Sequence, residues 1–166
     1  GMGRIGKKIS KIAKSLGMII HYHNRSQLSP DQEEGAKYHK DLKSLLSVSD
    51  VLSICCPASK ETVNLINKDA LEHLPKGAIV TNVARGDIVD DEALIDALDR
   101  RKIYAVGLDV YKGEPNLNPG YLKHKSAFIL PHLGSATKKT RIAMANLATD
   151  NLEEFFKTSK CKNKVN

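Results

Sequence analysis

The sequence of 166 residues carries a formal net charge of +7 and is 41% hydrophobic and 27% charged. Length and balance suit one domain with a core of its own and exclude a disordered chain. No apolar run reaches the roughly 18–20 residues that span a bilayer, so no membrane association is expected. Aromatic residues, at 5%, are too sparse for the stacking, basic face that nucleic-acid binding needs.

No charged segment followed by an apolar stretch opens the chain, and a cytoplasmic protein is expected. Cys55 and Cys56 lie in an apolar run and Cys161 in a polar tail. They make no disulfide framework and read as buried packing residues; with no second Cys or His pair at ligand spacing, no metal site is expected. The scattered lysines read as a solvated surface, or as a field that steers anions such as a nucleotide and a small carboxylate.

The predicted elements alternate between helix and strand. Ile9, Ile12, Ala13 and Leu16 recur at i, i+3, i+4, i+7 and predict a helix over 7–16, ended by Gly17. A strand follows over 18–23, then a polar loop with Pro30 over 24–34, a short strand over 36–39 and a short helix over 42–46. An apolar strand over 50–56 stops at Pro57. Next come a helix over 68–74, a turn at Pro75-Lys76-Gly77, a strand over 78–84, and a helix over 91–101 capped by Asp90 or Asp91. A strand over 105–110, a last strand over 128–130 and the longest helix, over 137–156, complete the order. The strands are near-continuous apolar runs, which predicts a parallel sheet with helices on both faces. The one long loop, 111–126, holds Gly113, Pro115, Pro119 and Gly120, and such loops tend to carry function.

Gly1-Met2-Gly3-Arg4-Ile5-Gly6 is a G-x-G-x-x-G segment. Alone it is weak. Here it opens a predicted helix that leads into a strand, as in a βαβ unit. Its glycines would let the backbone approach a pyrophosphate, and the helix N-terminus adds free N–H groups and a positive dipole end. A plain glycine-rich turn is the alternative. At the end of the next strand, where an acid would bind a ribose 2′-hydroxyl, stands His23-Asn24-Arg25-Ser26. A carboxylate there would repel a 2′-phosphate, whereas Arg25, helped by Ser26 and Asn24, would accept one. NADP(H) is therefore the favoured cofactor and NAD(H) the alternative. Arg25 as a solvated loop residue is the competing reading.

Three candidates for chemistry stand on the side where open α/β sheets bind ligands. Arg85 follows the strand over 78–84, Glu114 lies in the long loop, and His132 follows the last strand. Singly they read as a turn residue, a solvated loop acid and a structural histidine. Together they supply a forked donor for a carboxylate, an acid–base group that titrates near neutrality and an anion to orient it, while a nicotinamide would carry the hydride. Asp109 is a further acid expected near the nicotinamide.

These stretches, with Leu65-Ile66-Asn67, Asn82-Val83-Ala84-Arg85-Gly86, Gly107-Leu108-Asp109-Val110, Gly113-Glu114-Pro115 and Pro131-His132-Leu133-Gly134-Ser135-Ala136-Thr137, stand in a fixed order. In that order they resemble the nucleotide-binding domain of D-isomer-specific 2-hydroxyacid dehydrogenases, nearest the glyoxylate/hydroxypyruvate reductase branch. The resemblance implies a Rossmann-type domain over 1–157 and a C-terminal tail over 158–166. It implies catalytic roles for Arg85, Glu114 and His132. Gly1, Gly3, Arg4, Ile5 and Gly6 would hold the pyrophosphate, and Asn24, Arg25 and Ser26 the adenosine ribose or its phosphate. Cys56, Pro57 and Thr62 would line the adenosine side, and Val83, Asp109, Gly134 and Ser135 the nicotinamide end.

The implied reaction is reduction of a small 2-oxo acid, glyoxylate or hydroxypyruvate, to a D-2-hydroxy acid, in a homodimer. In that family a central strand precedes the phosphate loop, and a substrate domain precedes that strand. This sequence shows neither. The expectation is therefore a Rossmann-type sheet lacking its first, central strand. Its neighbours would close up, a second copy would fill the gap, or the sheet would open into a dimer. The isolated chain is expected to be inactive, with a nucleotide-binding or interaction fragment as the alternative reading.

Overall fold

The computed structural model describes residues 1–164; Val165 and Asn166, the end of the tail expected over 158–166, lie outside the described residues. The chain forms two compact units, Gly1–Pro131 and His132–Asn166.

The first unit is built from α1 (Arg4–Ser15), β1 (His21–Tyr22), α2 (Pro30–Glu33), β2 (Lys37–Tyr38), α3 (Leu42–Leu46), β3 (Val51–Ile54), α4 (Lys68–His73), β4 (Ala78–Asn82), α5 (Asp91–Asp99), β5 (Ile103–Leu108) and β6 (Ala127–Ile129). Strands β3-β4-β5-β6 form one parallel sheet in that order, and β1-β2 a second parallel pair. Ile54 pairs with Asn82 and Asn82 with Leu108, so the C-terminal ends of β3, β4 and β5 are level. That common edge positions the site.

Of the three outcomes, closing up of the neighbouring strands is not what the structure shows: among the described residues β1 and β3 share no ladder. Gly1 lies at their ends instead. Its amino group donates to the His23 carbonyl at 3.0 Å, and a Cβ on it would fall 2.5 Å from the Cys56 nitrogen. Backbone from the phosphate loop thus stands between the two strand ends.

One large cluster of buried side chains joins Leu52, Ile54, Val80, Val106 and Leu108 of the sheet to Leu46, Leu71, Leu94 and Leu98 of α3, α4 and α5. The other face of the strands carries Val51, Tyr104 and Phe128, which are exposed. Helix starts follow the capping chemistry. The side chains of Asp41, Asn67 and Asp90 accept from the backbone N–H groups of Ser44, Ala70 and Ala93 at 2.8, 3.0 and 3.2 Å, which satisfies donors that the helix leaves unpaired. Asp90 is therefore the cap of α5. Asp91 is buried and accepts from the Tyr121 hydroxyl at 2.8 Å, which ties the long loop to α5.

Helix α1 corrects the simplest use of its periodicity. It buries Gly6 and Ser10, and leaves Ile12 and Leu16 exposed at 63% and 76%. Small residues face inward because the helix start lies against Gly1. The cysteines are corrected as well: Cys55, Cys56 and Cys161 are free and only half-buried.

The second unit holds α6 (Lys138–Thr158). Thr137 caps it, its hydroxyl accepting from the Thr140 N–H at 3.1 Å. The helix ends at Ser159 in a left-handed conformation, φ 56°. No helix among the described residues is long and apolar enough to cross a membrane.

Candidate functional site

The three glycines of the first loop do different work. A Cβ on Gly6 would sit 2.2 Å from the Gly1 carbonyl oxygen, and one on Gly1 would strike the Cys55–Cys56 backbone. These two glycines permit close packing. A Cβ on Gly3 would meet nothing within 4 Å. Gly3 is the N-cap of α1, makes no side-chain cap bond, and opens a first turn without an acidic residue. The loop thus presents an open backbone cradle beside unpaired helix N–H groups and a positive dipole end, which fits a pyrophosphate. Arg4 and Ile5 are exposed at the mouth of the cradle.

Beyond β1, Asn24 accepts from the Met2 N–H through Oδ1 at 2.7 Å, and so ties its own loop to the glycine loop. His23 is bonded through Nδ1 to the His39 carbonyl at 2.9 Å. Arg25 and Ser26 are exposed, with no carboxylate on their own turn. Glu61 is a carboxylate that feels the charge of Arg25. Its carboxyl is held below the usual range first by the Ser59 hydroxyl, then by its own backbone N–H, with Arg25 a lesser contributor.

The loop after β3 is closed by Thr62, whose hydroxyl accepts from the Ser59 N–H at 2.7 Å and lies 3.1 Å from the Pro57 carbonyl. Thr62 shapes the loop on which Pro57 is exposed. Burial, the largest influence on Cys56, pushes its thiol pKa up and so disfavours the thiolate.

Arg85 stands on a turn fixed from two sides. Asn82 is buried, donates to the Arg85 carbonyl at 2.8 Å and accepts from the Ala84 N–H at 3.0 Å. Gly86 packs so closely that a Cβ would lie 2.1 Å from the Tyr111 carbonyl carbon and 2.4 Å from the Lys112 nitrogen. Backbone therefore meets backbone between the Arg85 turn and the loop that carries Glu114. In that loop the Tyr111 N–H donates to Glu114 Oε1 at 3.1 Å. Val83 and Arg85 are exposed at the strand ends, and the Asp109 N–H donates to the Asn82 carbonyl at 3.0 Å. The first unit thus brings together the glycine loop, the Arg25 turn, the Cys56–Pro57 strand end, Arg85, Asp109 and Glu114 along the C-terminal edge of its strands.

His132, Gly134 and Ser135 belong to the second unit, in the stretch before α6. His132 has φ 55°, a left-handed backbone uncommon for a residue with a Cβ. The Ala136 N–H donates to the Leu133 carbonyl at 2.9 Å and folds this stretch into a turn.

Sequence reasoning assigned no role to Asn82 or Gly86. A polar residue closing an apolar strand just before an Arg-Gly pair is the signal that could have found both. A separate cleft of about 550 Å³ lies between the start of α5 and the long loop, lined by Asp90, Asp91, Glu92, Lys112 and Asn116 to Pro119. Its three carboxylates make it a poor host for an anionic ligand. No group of three or more His, Cys, Asp or Glu among the described residues could hold a metal ion.

A parallel sheet whose strand ends carry a glycine cradle at a helix N-terminus defines a dinucleotide-binding domain. The chain belongs to the D-isomer specific 2-hydroxyacid dehydrogenases: the model of their NAD binding domain matches residues 1–134. Glyoxylate reductase of Aeropyrum pernix is 42% identical over 168 residues, covering 100% of this chain and 50% of that protein. Glycerate dehydrogenase of Hyphomicrobium methylovorum is 40% identical over 158 residues, or 94% of this chain and 49% of that protein. The crystal structure of the NADPH-dependent glyoxylate/hydroxypyruvate reductase of Sinorhizobium meliloti, in complex with NADP and malonate, aligns with a TM-score of 0.93 at 35% identity, covering 98% of this chain and 50% of that one. The chain spans about half the length of the curated relatives it matches.

Proposed function

We propose that the full-length protein reduces a short 2-oxo acid, of the glyoxylate or hydroxypyruvate kind, to its D-2-hydroxy acid with NADPH. The observation that carries this reading is the Arg85 turn packed, through Gly86, onto the Glu114 loop, on the strand edge that also carries the Gly3 cradle. Gly1, Gly3, Arg4, Ile5 and Gly6 hold the pyrophosphate. Cys56, Pro57 and Thr62 flank the adenosine, and Val83, Asp109, Gly134 and Ser135 the nicotinamide end.

The nicotinamide, when bound, supplies a hydride to the substrate carbonyl carbon. Arg85 takes the substrate carboxylate in a forked pair of N–H bonds. His132 gives its proton to the carbonyl oxygen, which becomes the hydroxyl, and returns to the neutral imidazole. Glu114 is the acidic member that this reading assigns to the same reaction.

Preference for NADPH rests on Arg25 and Ser26, exposed on a turn without a carboxylate, where a 2′-phosphate gains charge-assisted bonds. The S. meliloti reductase, described as NADPH-dependent, supports the same choice. The test is oxidation of NADPH and of NADH by the full-length protein with glyoxylate and hydroxypyruvate. The expected kcat/KM is about tenfold higher or more with NADPH, and Arg25→Gln is expected to abolish that preference. Turnover with no 2-oxo acid would overturn the reading, and NADPH binding without turnover would favour a nucleotide-binding module instead.

A further inference from the structure

Asn82 ends β4 with 1% of its surface exposed. A buried carboxamide needs partners for both its oxygen and its nitrogen. Here both go to the turn that follows. Nδ2 donates to the Arg85 carbonyl at 2.8 Å, and Oδ1 accepts from the Ala84 N–H at 3.0 Å. The backbone carbonyl of the same residue accepts from the Asp109 N–H at 3.0 Å. The side chain therefore closes a ring around residues 83–85 and ties down the Val83–Ala84 and Arg85–Gly86 peptides, between which the arginine stands. The arginine adds its own bond to this frame, Nη1 donating to the Ala84 carbonyl at 2.6 Å. One residue later Gly86 lies against the Tyr111 carbonyl, so the turn is packed directly onto the loop beside it.

Hydrophobic packing does not account for this arrangement. The neighbours of Asn82 on the sheet, Ile54 and Leu108, are apolar and paired with it in register. A polar side chain of this size in that row adds no transfer energy. What it adds is orientation of an exposed, flexible side chain through the backbone that bears it.

We propose that Asn82 is a positioning residue. Its carboxamide sets the Ala84–Arg85 backbone so that the guanidinium is presented in one orientation to a substrate carboxylate, and this rests on the reading of Arg85 given above. Asn82 itself touches neither substrate nor cofactor.

The experiment is a double-mutant cycle in the full-length protein, with glyoxylate as the varied substrate and NADPH as the cofactor. Arg85→Gln is expected to raise KM for glyoxylate roughly a hundredfold, by loss of the forked pair. Asn82→Ala is expected to raise it about tenfold, with the Kd for NADPH within about twofold of the parent. In the double variant the Asn82 substitution is expected to add nothing, because the group it orients is gone. Should Asn82→Ala fail to fold, Asn82→Asp keeps size and acceptor but sets a carboxylate oxygen, in place of the donor, against the Arg85 carbonyl, with a rise in KM at least as large expected. An unchanged KM in the Asn82 variants, or an effect that multiplies with that of Arg85→Gln, would overturn the positioning role alone. An unchanged KM in Arg85→Gln would overturn the reading of Arg85 itself, and the positioning role with it.

Discussion

The two ends of the first unit are held together by different forces. Around β3–β6 a continuous apolar cluster runs from Leu46 to Tyr121, and the Arg85 turn grows out of it. Around β1 and β2 the buried cluster is only Met2, Tyr22 and Ala36. Polar bonds take over there: the Tyr22 hydroxyl to Glu33 at 2.6 Å, Met2 to Asn24 at 2.7 Å, and His21 to His39 at 2.7 Å. Burial is insensitive to pH and forgiving in direction, whereas hydrogen bonds are directional and titrate. The Arg85 turn is thus mounted on an apolar slab, and the Arg25 turn, the proposed cofactor arm, on a frame of hydrogen bonds. Local openings are expected to start from the second.

The contrast breaks most plainly at the core. Leu94 is fully buried in the large cluster, so Leu94→Ala is expected to cost about 2–5 kcal/mol in denaturant unfolding. A loss within the range of surface substitutions would mean that the slab is not what holds the molecule. Next come the glycines of the first loop. Gly6→Ala pushes a methyl against the Gly1 carbonyl oxygen and is expected to cost about 1–3 kcal/mol. Gly3→Ala meets no atom and is expected to cost less than about 1 kcal/mol, the loss of a tolerable N-cap. It fills the cradle all the same, so titration calorimetry with NADPH is expected to show weakened binding in a stable variant. Equal affinity in parent and Gly3→Ala would remove the pyrophosphate from this loop. Tyr22→Phe keeps the ring and loses the hydroxyl that donates to Glu33 and accepts from the Leu28 N–H at 3.0 Å. About 1–3 kcal/mol is expected, as much as a sizeable core change from one oxygen atom.

How much of this was legible follows the same division. The slab could be read because its signal is strong: apolar runs for β3–β5 and good cap residues for α3, α4 and α5. The helix predicted over 42–46 has those bounds in the structure. The frame around β1 could not. Met18 and Ile19 suggested a strand over 18–23, yet both are exposed and only His21–Tyr22 pairs, because β2 offers two partner residues. The polar stretch over 24–34 reads as a loop, yet Pro30–Glu33 is a helix, and Pro30 at its first turn after Ser29 is a helix-start signal. In the candidate site, residue types point to the glycine loop, Arg25, Arg85 and Glu114, since the chemistry proposed for them is carried by the side chain or by its absence. Asn82 and Gly86 act on the backbone of their neighbours, and such roles have no signature until the turn is seen. The sequence leaves three fates open for the gap between β1 and β3, and closure is the one the structure does not show.

The smallest effect expected is the one most particular to the cofactor arm. His21 Nδ1 and His39 Nε2 are 2.7 Å apart, and His39 Nδ1 is 3.1 Å from the Ser44 hydroxyl. One nitrogen of the His21–His39 pair must accept, so the bond exists only while at least one ring is neutral. The His21 pKa is lowered from the ordinary value of 6.5, first by burial, then by the charges of His39 and Lys37. The other ionisable groups on this side are His23, bonded to the His39 carbonyl, and Asp41 at the start of α3, whose carboxyl is held low by the Ser44 N–H and hydroxyl. The sign follows from linkage. The folded state resists the proton that the unfolded chain accepts near 6.5, so this share of stability is present above that pH and is lost as pH falls through the lowered value. The check is hydrogen exchange at the amides of β1 and β2 between neutral and mildly acid pH. Opening of these amides is expected to become easier as pH falls, while the amides of β4 and β5 keep their protection. In His21→Asn, which cannot gain the second positive charge, that difference between the two sheets is expected to flatten. Equal acid sensitivity in both sheets, or in parent and variant, would show that the imidazole pair does not govern how firmly the cofactor arm is held.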